Sequence, residues 1–496
     1  MSTLPGIVAV VSVTVTTLVI GTWGLRLSRT TSDFFVASRT VRPGLNASAI
    51  GGEYLSAASF LGIAGLLLTF GADMLWYPVG WTAGYLVLLV LVAAPLRRSG
   101  AYTLPDFAEA RLGSRRVRAA CSVLVVAIGW LYLLPQFEGA GITLAAAIGA
   151  PRWVGPLVVG GVVLVNVGSG GMRSITFVQA FQYWLKLTAL LVPAAVLLVV
   201  WAGDRVSGPS PLSGDWSLPL AGSGGGQGLY TTYSLVLATF LGTMGLPHVV
   251  VRFYTNPDGR AARRTTLVVL GLLGVFYVLP PVFAALGRAY GSDPGRSDAL
   301  VLELPRLVLG GTGGEVLTGL VTAGAFAAFL STSSGLAIAV SGVLTQDVTS
   351  HRLPEVTSFR VATLVAVAVP LTAALLLPDV GVARAVGLAF AVAASTFCPL
   401  LVLGIWWRGL TAAGAVAGLL VGGAGSVTAV AWTLAHEGAP EGWGEVLLNQ
   451  PAAWSVPLAF AIMVGVSRAT ASRVPAHASR FMVRLHTPEA LELDRS

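Results

Sequence analysis

About thirteen apolar runs of membrane-spanning length follow one another along this chain, at roughly 5–26, 45–70, 74–96, 118–148, 152–170, 174–202, 231–252, 265–290, 315–345, 358–377, 382–406, 411–435 and 452–468. A helix needs about 20 residues to cross the hydrocarbon of a bilayer. In lipid, only a structure that satisfies its own backbone N–H and C=O groups is viable. The chain is 55% hydrophobic and 10% charged, with a mean hydropathy of +0.80, whereas soluble domains run near a quarter charged. These features predict an all-α polytopic membrane protein. A net charge of +8 would suggest a nucleic-acid partner in a soluble protein; here the excess of positive residues on cytoplasmic loops accounts for it.

Charge also sets the predicted orientation. With the N-terminus outside, 23 arginines fall in cytoplasmic segments, among them Arg97, Arg98, Arg115, Arg116 and Arg118. Six fall outside: Arg152, Arg205, Arg288, Arg296, Arg306 and Arg384. Leaving out one span would reverse every later segment and destroy this asymmetry, so an odd count with the C-terminus inside is expected. No positive residue precedes the first run, and Arg26 and Arg29 follow it, which predicts a retained first helix and not a cleaved signal. Cys121 and Cys398 lie far apart in apolar runs and give neither a disulfide framework nor a metal site.

The second run does not read as a plain anchor. Residues 49–66, AIGGEYLSAASFLGIAGL, open on paired glycines, place Glu53 next and add Ser56 and Ser59. Gly51-Gly52 eases departure from helical geometry. An acid in an apolar span is costly unless it faces protein or water, and a span can unwind only where its freed carbonyls are buried in protein or line a cavity. The expectation is a broken helix whose carbonyls hold a small cation and part of a substrate site. The seventh run, GTMGLPHVVVRF at 242–253, is interrupted by glycines and Pro247. Paired interrupted helices point to a transporter site at the membrane midplane.

The ninth run carries Ser331, Thr332, Ser333 and Ser334. Ala328, Ser331 and Thr332 share one helical face. Two hydroxyls and a carbonyl there, with the carbonyls of Gly52 and Leu55, would give a shell of neutral oxygens suited to Na⁺. The alternative is that the hydroxyls bond back to their own helix or allow close packing. Glu53 could orient the unwound backbone, act on the cation electrostatically, or exchange a proton. Glu138 and Lys186 also lie in spans, where a buried pair is the simplest expectation. His248 reads as an interfacial histidine, Arg252 as an orientation anchor, and Trp76, Tyr77, Trp201, Trp406 and Trp407 as belt residues. GSGGGQG at 222–228 lacks the following Lys-Ser/Thr of a phosphate-binding loop, and no pattern of an enzyme active site is present.

The segments DFFVASRTVRPGLNASAIGGEYLSAASFLGIAG (33–65), PLRRSGAYTLPDFAEARL (95–112), GGMRSITFVQAFQYWLKL (170–187), GLPHVVVRFYTNPDGRAARR (245–264) and AFLSTSSGLAIAVSGVLTQDV (328–348) resemble the solute:sodium symporter family, and within it the acetate/monocarboxylate permease branch. The resemblance spans nearly the whole chain. It implies a single transmembrane domain over 1–470 and a cytoplasmic tail over 471–496. It also implies a leucine-transporter-type five-plus-five inverted repeat (45–202 and 231–406), with one helix before it and two after. It further implies Na⁺ as coupling ion, held by Gly52, Leu55, Ala328, Ser331 and Thr332. The substrate implied is a small monocarboxylate of acetate, propionate or pyruvate type. Glu53, Tyr54, Ser56, Ser59, Thr243 and Gly245 are the candidate substrate and coupling residues. Symport of an amino acid or sugar, H⁺ coupling, and a transporter-like sensor are the alternatives. The only other partner expected is the lipid of a bacterial plasma membrane.

Overall fold

A computed structural model describes residues 4–25, 37–203, 216–220, 225–349, 354–376, 381–436 and 442–489. Arg26, Arg29, Arg205, Arg352 and Arg495, most of the 203–230 loop and the end of the tail lie outside the described residues. In chain order the helices are α1 (Leu4–Leu25), α2 (Pro43–Tyr54), α3 (Ile63–Phe70), α4 (Trp76–Val87), α5 (Ala93–Arg98), α6 (Leu104–Leu112), α7 (Arg115–Ile148), α8 (Val154–Gly203), α9 (Gly226–Gly245) and α10 (Pro247–Val251). They continue as α11 (Gly259–Tyr277), α12 (Leu279–Ala289), α13 (Leu300–Leu309), α14 (Gly311–Leu344), α15 (Glu355–Leu376), α16 (Val382–Trp406), α17 (Ala412–Ala435), α18 (Trp443–Asn449), α19 (Ala452–Ala469) and α20 (Ala478–His486).

Eleven stretches among the described residues are long and apolar enough to cross a membrane. The sequence predicts about thirteen, and two features account for the difference. Ala58–Arg98 runs on as one apolar stretch, although the chain turns inside it at Gly71, whose φ of 78° suits a residue without Cβ. Val154–Gly168 is apolar but shorter; it is the first part of α8, which bends at Gly171 (φ 59°, ψ −166°).

The most deeply buried spans are α14, α16 and the α9–α10 pair, whereas α1, α15 and α19 lie toward the outside. α14 packs on α8, α7, α1 and α2, while α9 packs on α16 and α4. The interrupted helices therefore sit in the middle of the bundle. Burying α14 on nearly every side is possible because its central residues are small; Gly324, for example, lies against Ala189 and Phe60.

The basic segment 97–118 folds over one end of the bundle. Thr103 and Asp106 form a reciprocal capping box at the start of α6, and Gly113 closes it in the left-handed conformation. Arg111, on α6, is fully buried. It donates from Nε to the Gly404 carbonyl at 2.9 Å and from a terminal nitrogen to those of Trp407 (3.1 Å) and Arg408 (3.2 Å). Burial pushes its guanidinium pKa down to about 10, so it remains a cation capping the C-terminal end of α16. Arg111→Met should lower thermal stability by about 1–3 kcal/mol, the cost of leaving buried carbonyls unpaired. A detergent thermal melt indistinguishable from the parent would contradict this.

The described part of the tail is not wholly solvated. Leu485 of α20 is buried, Arg484 donates to the Arg98 carbonyl, and Glu489 accepts from Gly259 N–H at 2.8 Å and from Arg98 Nε at 3.2 Å. Burial acts to raise the Glu489 pKa, but these hydrogen bonds and the Arg98 charge hold it below the usual carboxylate range.

Candidate functional site

α2 stops at Tyr54 because Leu55 leaves helical geometry (φ −73°, ψ 83°). The chain resumes as a wide helical turn over Ala58–Gly62 that leads into α3. The last carbonyls of a helix have no partner one turn on, and at membrane depth each must find one. Gly52 O and Leu55 O accept from Lys186 Nζ, the latter at 2.7 Å. Glu53 O accepts from Thr332 Oγ1 at 2.6 Å. On the far side of the break, Ala57 N–H donates to Gln136 Oε1 of α7 at 3.1 Å. Neighbouring helices thus supply the polar partners that the unwound turn gave up.

Lys186 makes a third hydrogen bond, to Ser331 Oγ at 2.9 Å, and Ser331 in turn donates to Ala328 O at 3.0 Å. Of the five residues expected to hold Na⁺, Gly52, Leu55 and Ser331 meet on one lysine ammonium. Ala328 lies one hydroxyl further away, and Thr332 is engaged by the carbonyl of Glu53. The pair expected between Lys186 and Glu138 does not form: the ammonium spends its three donors on these oxygens. Glu138 instead lines a cavity of about 280 Å³ with Arg152 and Asp298.

Three other expectations fail because burial overrides them. Arg252, read as a membrane-surface anchor, is fully buried and donates from Nε to Glu53 Oε2 at 2.6 Å. Its other nitrogens reach Thr176 Oγ1 at 2.9 Å and Gln179 Oε1. Gln179 Nε2 donates to Ser331 O at 2.8 Å. One network therefore ties α2, α8, α14 and the turn after α10. His248, read as interfacial, is also fully buried, edge-on to Tyr132 at 5.2 Å, and neither ring nitrogen has a hydrogen-bond partner. Tyr77, read as a belt residue, packs inside against Trp81 at 5.5 Å.

The second interruption lies at Leu246 (φ −72°, ψ 117°), between α9 and α10. Its cause is the next residue, Pro247, which cannot donate an N–H and biases the residue before it toward extended geometry. The two breaks are joined: Tyr54 OH meets Thr243 Oγ1 at 2.8 Å. Because Thr243 donates to Thr239 O, the tyrosine is the donor in that bond. Ser59 Oγ meets Tyr277 OH at 3.0 Å, and Ser56 is buried beside Tyr132. Gly245 lets α9 approach α16, since a Cβ there would meet Phe397 at 3.2 Å.

Aromatic rings surround these residues. Phe390 lies 6.3 Å from Tyr54, 5.6 Å from Trp81 and 5.9 Å from Tyr132, and Trp81 lies 6.0 Å from Tyr277. Among them, Trp81 Nε1 and the Tyr85 hydroxyl are buried without a hydrogen-bond partner. Buried polar groups are normally paired, and these donors, with the His248 ring, are exceptions to that rule. Trp81, Tyr132, Tyr277 and Phe390 come from four different helices, and no sequence spacing links them.

The family model described as SSF, the sodium:solute symporter family, matches residues 34–422. The uncharacterized symporter YwcA of Bacillus subtilis (strain 168) is 32% identical over 474 residues, 90% of each chain. Among solved structures, a Na⁺-coupled sialic acid symporter in a substrate-bound outward-open state superposes with a TM-score of 0.74 at 15% identity, covering 93% of this chain and 98% of that one. MhsT in complex with L-phenylalanine gives a TM-score of 0.54 at 15% identity, covering 86% of this chain and 98% of that one. At these identities the structural likenesses establish the fold alone.

Proposed function

Because the chain belongs to the sodium:solute symporter family, and so is a membrane transporter and not an enzyme, we propose that it carries a small monocarboxylate of acetate, propionate or pyruvate type into the cell together with Na⁺. The observation that carries this reading is the interior between the two helix breaks, where aromatic walls enclose buried, unpaired N–H and O–H donors. A carboxylate accepts hydrogen bonds and brings few donors of its own, which suits such a lining. Tyr54, Ser56, Ser59, Thr243 and Gly245 border the same region with hydroxyls and small side chains, and Glu53 orients the broken helix through Arg252. Na⁺ would be held by Gly52, Leu55, Ala328, Ser331 and Thr332. Entry of one Na⁺ with one carboxylate moves no net charge, so the Na⁺ concentration gradient would drive it; a second cation would add about 2.3 kcal/mol per 100 mV.

On this reading the N-terminus lies outside and the C-terminus inside a bacterial plasma membrane. Residues 45–202 and 231–406 form the two inverted repeats of a single domain over 1–470, followed by the tail from 471.

Two measurements test it. Thr332→Ala should raise the Na⁺ concentration for half-maximal uptake about tenfold, the equivalent of about 1.4 kcal/mol, and should lower thermal stability by about 1–3 kcal/mol through the lost bond to Glu53 O; unchanged Na⁺ dependence would remove Thr332 from the ion site. Saturating propionate should stabilise the purified protein in Na⁺ but not in choline, by about 2.7 kcal/mol at a hundred times its dissociation constant. Trp81→Phe should weaken that stabilisation. Stabilisation by proline or glucose, and by no short monocarboxylate, would sink the substrate assignment.

A further inference from the structure

We propose that the ammonium of Lys186 and a sodium ion compete for one site in the α2–α3 break, so that Na⁺ binds only by displacing Lys186. The inference rests on the cation site of the reading above and adds to it a built-in competitor.

The geometry is that of a tethered cation. Lys186 Nζ has three protons and three acceptors: Gly52 O, Leu55 O at 2.7 Å and Ser331 Oγ at 2.9 Å. Two are carbonyls released by the unwinding of α2, and the third is one of the hydroxyls of α14. An unwound turn in a membrane needs donors for its freed carbonyls, and for Gly52 and Leu55 the donor is a cation covalently attached to α8. The side chain is fully buried.

Residue choice points the same way. Of 30 Lys and Arg residues, Lys186 is the one lysine. Arginine serves at every other basic position, including the buried Arg111 and Arg252. A planar guanidinium cannot sit as a point at the centre of a small oxygen shell, whereas a compact ammonium on a flexible stem can. The lysine stands where its shape resembles that of a monovalent ion.

Charge makes the two occupants exclusive. Glu53 and Arg252 neutralise each other at 2.6 Å, so Lys186 already gives the break a net positive charge. Sodium arriving beside it would share its ligands and face its charge at close range in a poorly screened interior. Displacement has a destination: Glu53 Oε1, on the residue after Gly52, is buried without a hydrogen-bond partner and offers the released ammonium a charged acceptor. Binding of Na⁺ would then move a side chain that bridges α2, α8 and α14.

The test is equilibrium binding of radiolabelled ²²Na⁺ to the purified full-length protein, with choline keeping ionic strength constant. Lys186→Met, which removes both charge and donors, is expected to bind ²²Na⁺ with a half-saturating concentration about tenfold or more below that of the parent. Lys186→Gln, which keeps donors but not charge, is expected to shift the same way and serves if the methionine variant does not fold. Equal half-saturation in parent and variants would place ion and ammonium apart and overturn the competition while leaving the sodium reading intact. No saturable ²²Na⁺ binding in any of them would overturn both.

Discussion

Arg252→Met is expected to abolish transport and to destabilise the folded protein by about 3–5 kcal/mol, the usual result of stranding one member of a buried ion pair. Glu53 and Arg252 are both excluded from solvent, and the guanidinium also holds Thr176 and Gln179 of α8. Without it, the Glu53 carboxylate remains in an apolar bundle with Lys186 as the nearby cation left to it. The double change Glu53→Gln with Arg252→Met leaves no stranded carboxylate. It should recover a substantial part of the lost stability, because removing both members costs less than removing one. Transport should stay impaired, since the knot joining α2, α8 and the turn after α10 is still cut. A melting temperature for Arg252→Met equal to that of the parent would contradict the account.

Gly52→Ala is the second substitution with a large expected effect. A methyl group there would meet the backbone carbonyl carbon of Gln179 at 2.9 Å and press on its oxygen. Backbone cannot swing aside as a side-chain tip can, so α2 and α8 must separate, at a cost of about 1–3 kcal/mol. That separation draws the Gly52 carbonyl off Lys186 and opens the break. Transport should fall at least about tenfold, equivalent to about 1.4 kcal/mol. Gly44→Ala, on the same helix but with nothing near its Cβ, is the control and should be neutral or mildly stabilising. Wild-type transport by Gly52→Ala would show that the close approach of α2 to α8 has no role.

Much of this architecture can be read from the residues alone. The apolar runs give the membrane bundle because lipid admits few alternatives. The Gly51-Gly52-Glu53 and Gly245-Leu246-Pro247 strings mark the breaks because each combines weak helix formers with polarity or a missing donor. The carbonyls of Gly52 and Leu55 come free together because unwinding is a local property of the break, whereas Ser331 of α14 joins them on Lys186 only through packing.

What occupies that point is not local. Lys186 lies 131 residues from Leu55 and 145 from Ser331, and no periodicity joins them. A signal is present in its being the lone lysine, but a pair with Glu138 is the simpler expectation. Arg252 and His248 depart from expectation for one shared reason. Both follow a proline near the end of a run, where surface exposure is the ordinary outcome, and only the packing of α10 against α14 and α7 takes them inside. The aromatic walls, drawn from four helices, become visible only once the helices are packed.

The most direct test of the central claim is uptake of labelled acetate into proteoliposomes under an inward Na⁺ gradient, against an equal K⁺ gradient at clamped pH. Unlabelled pyruvate, propionate, proline and glucose would serve as competitors. The account predicts accumulation that requires Na⁺ and is blocked by pyruvate and propionate but not by proline or glucose. Accumulation driven by a proton gradient alone, or no acetate uptake under either cation gradient, would contradict it.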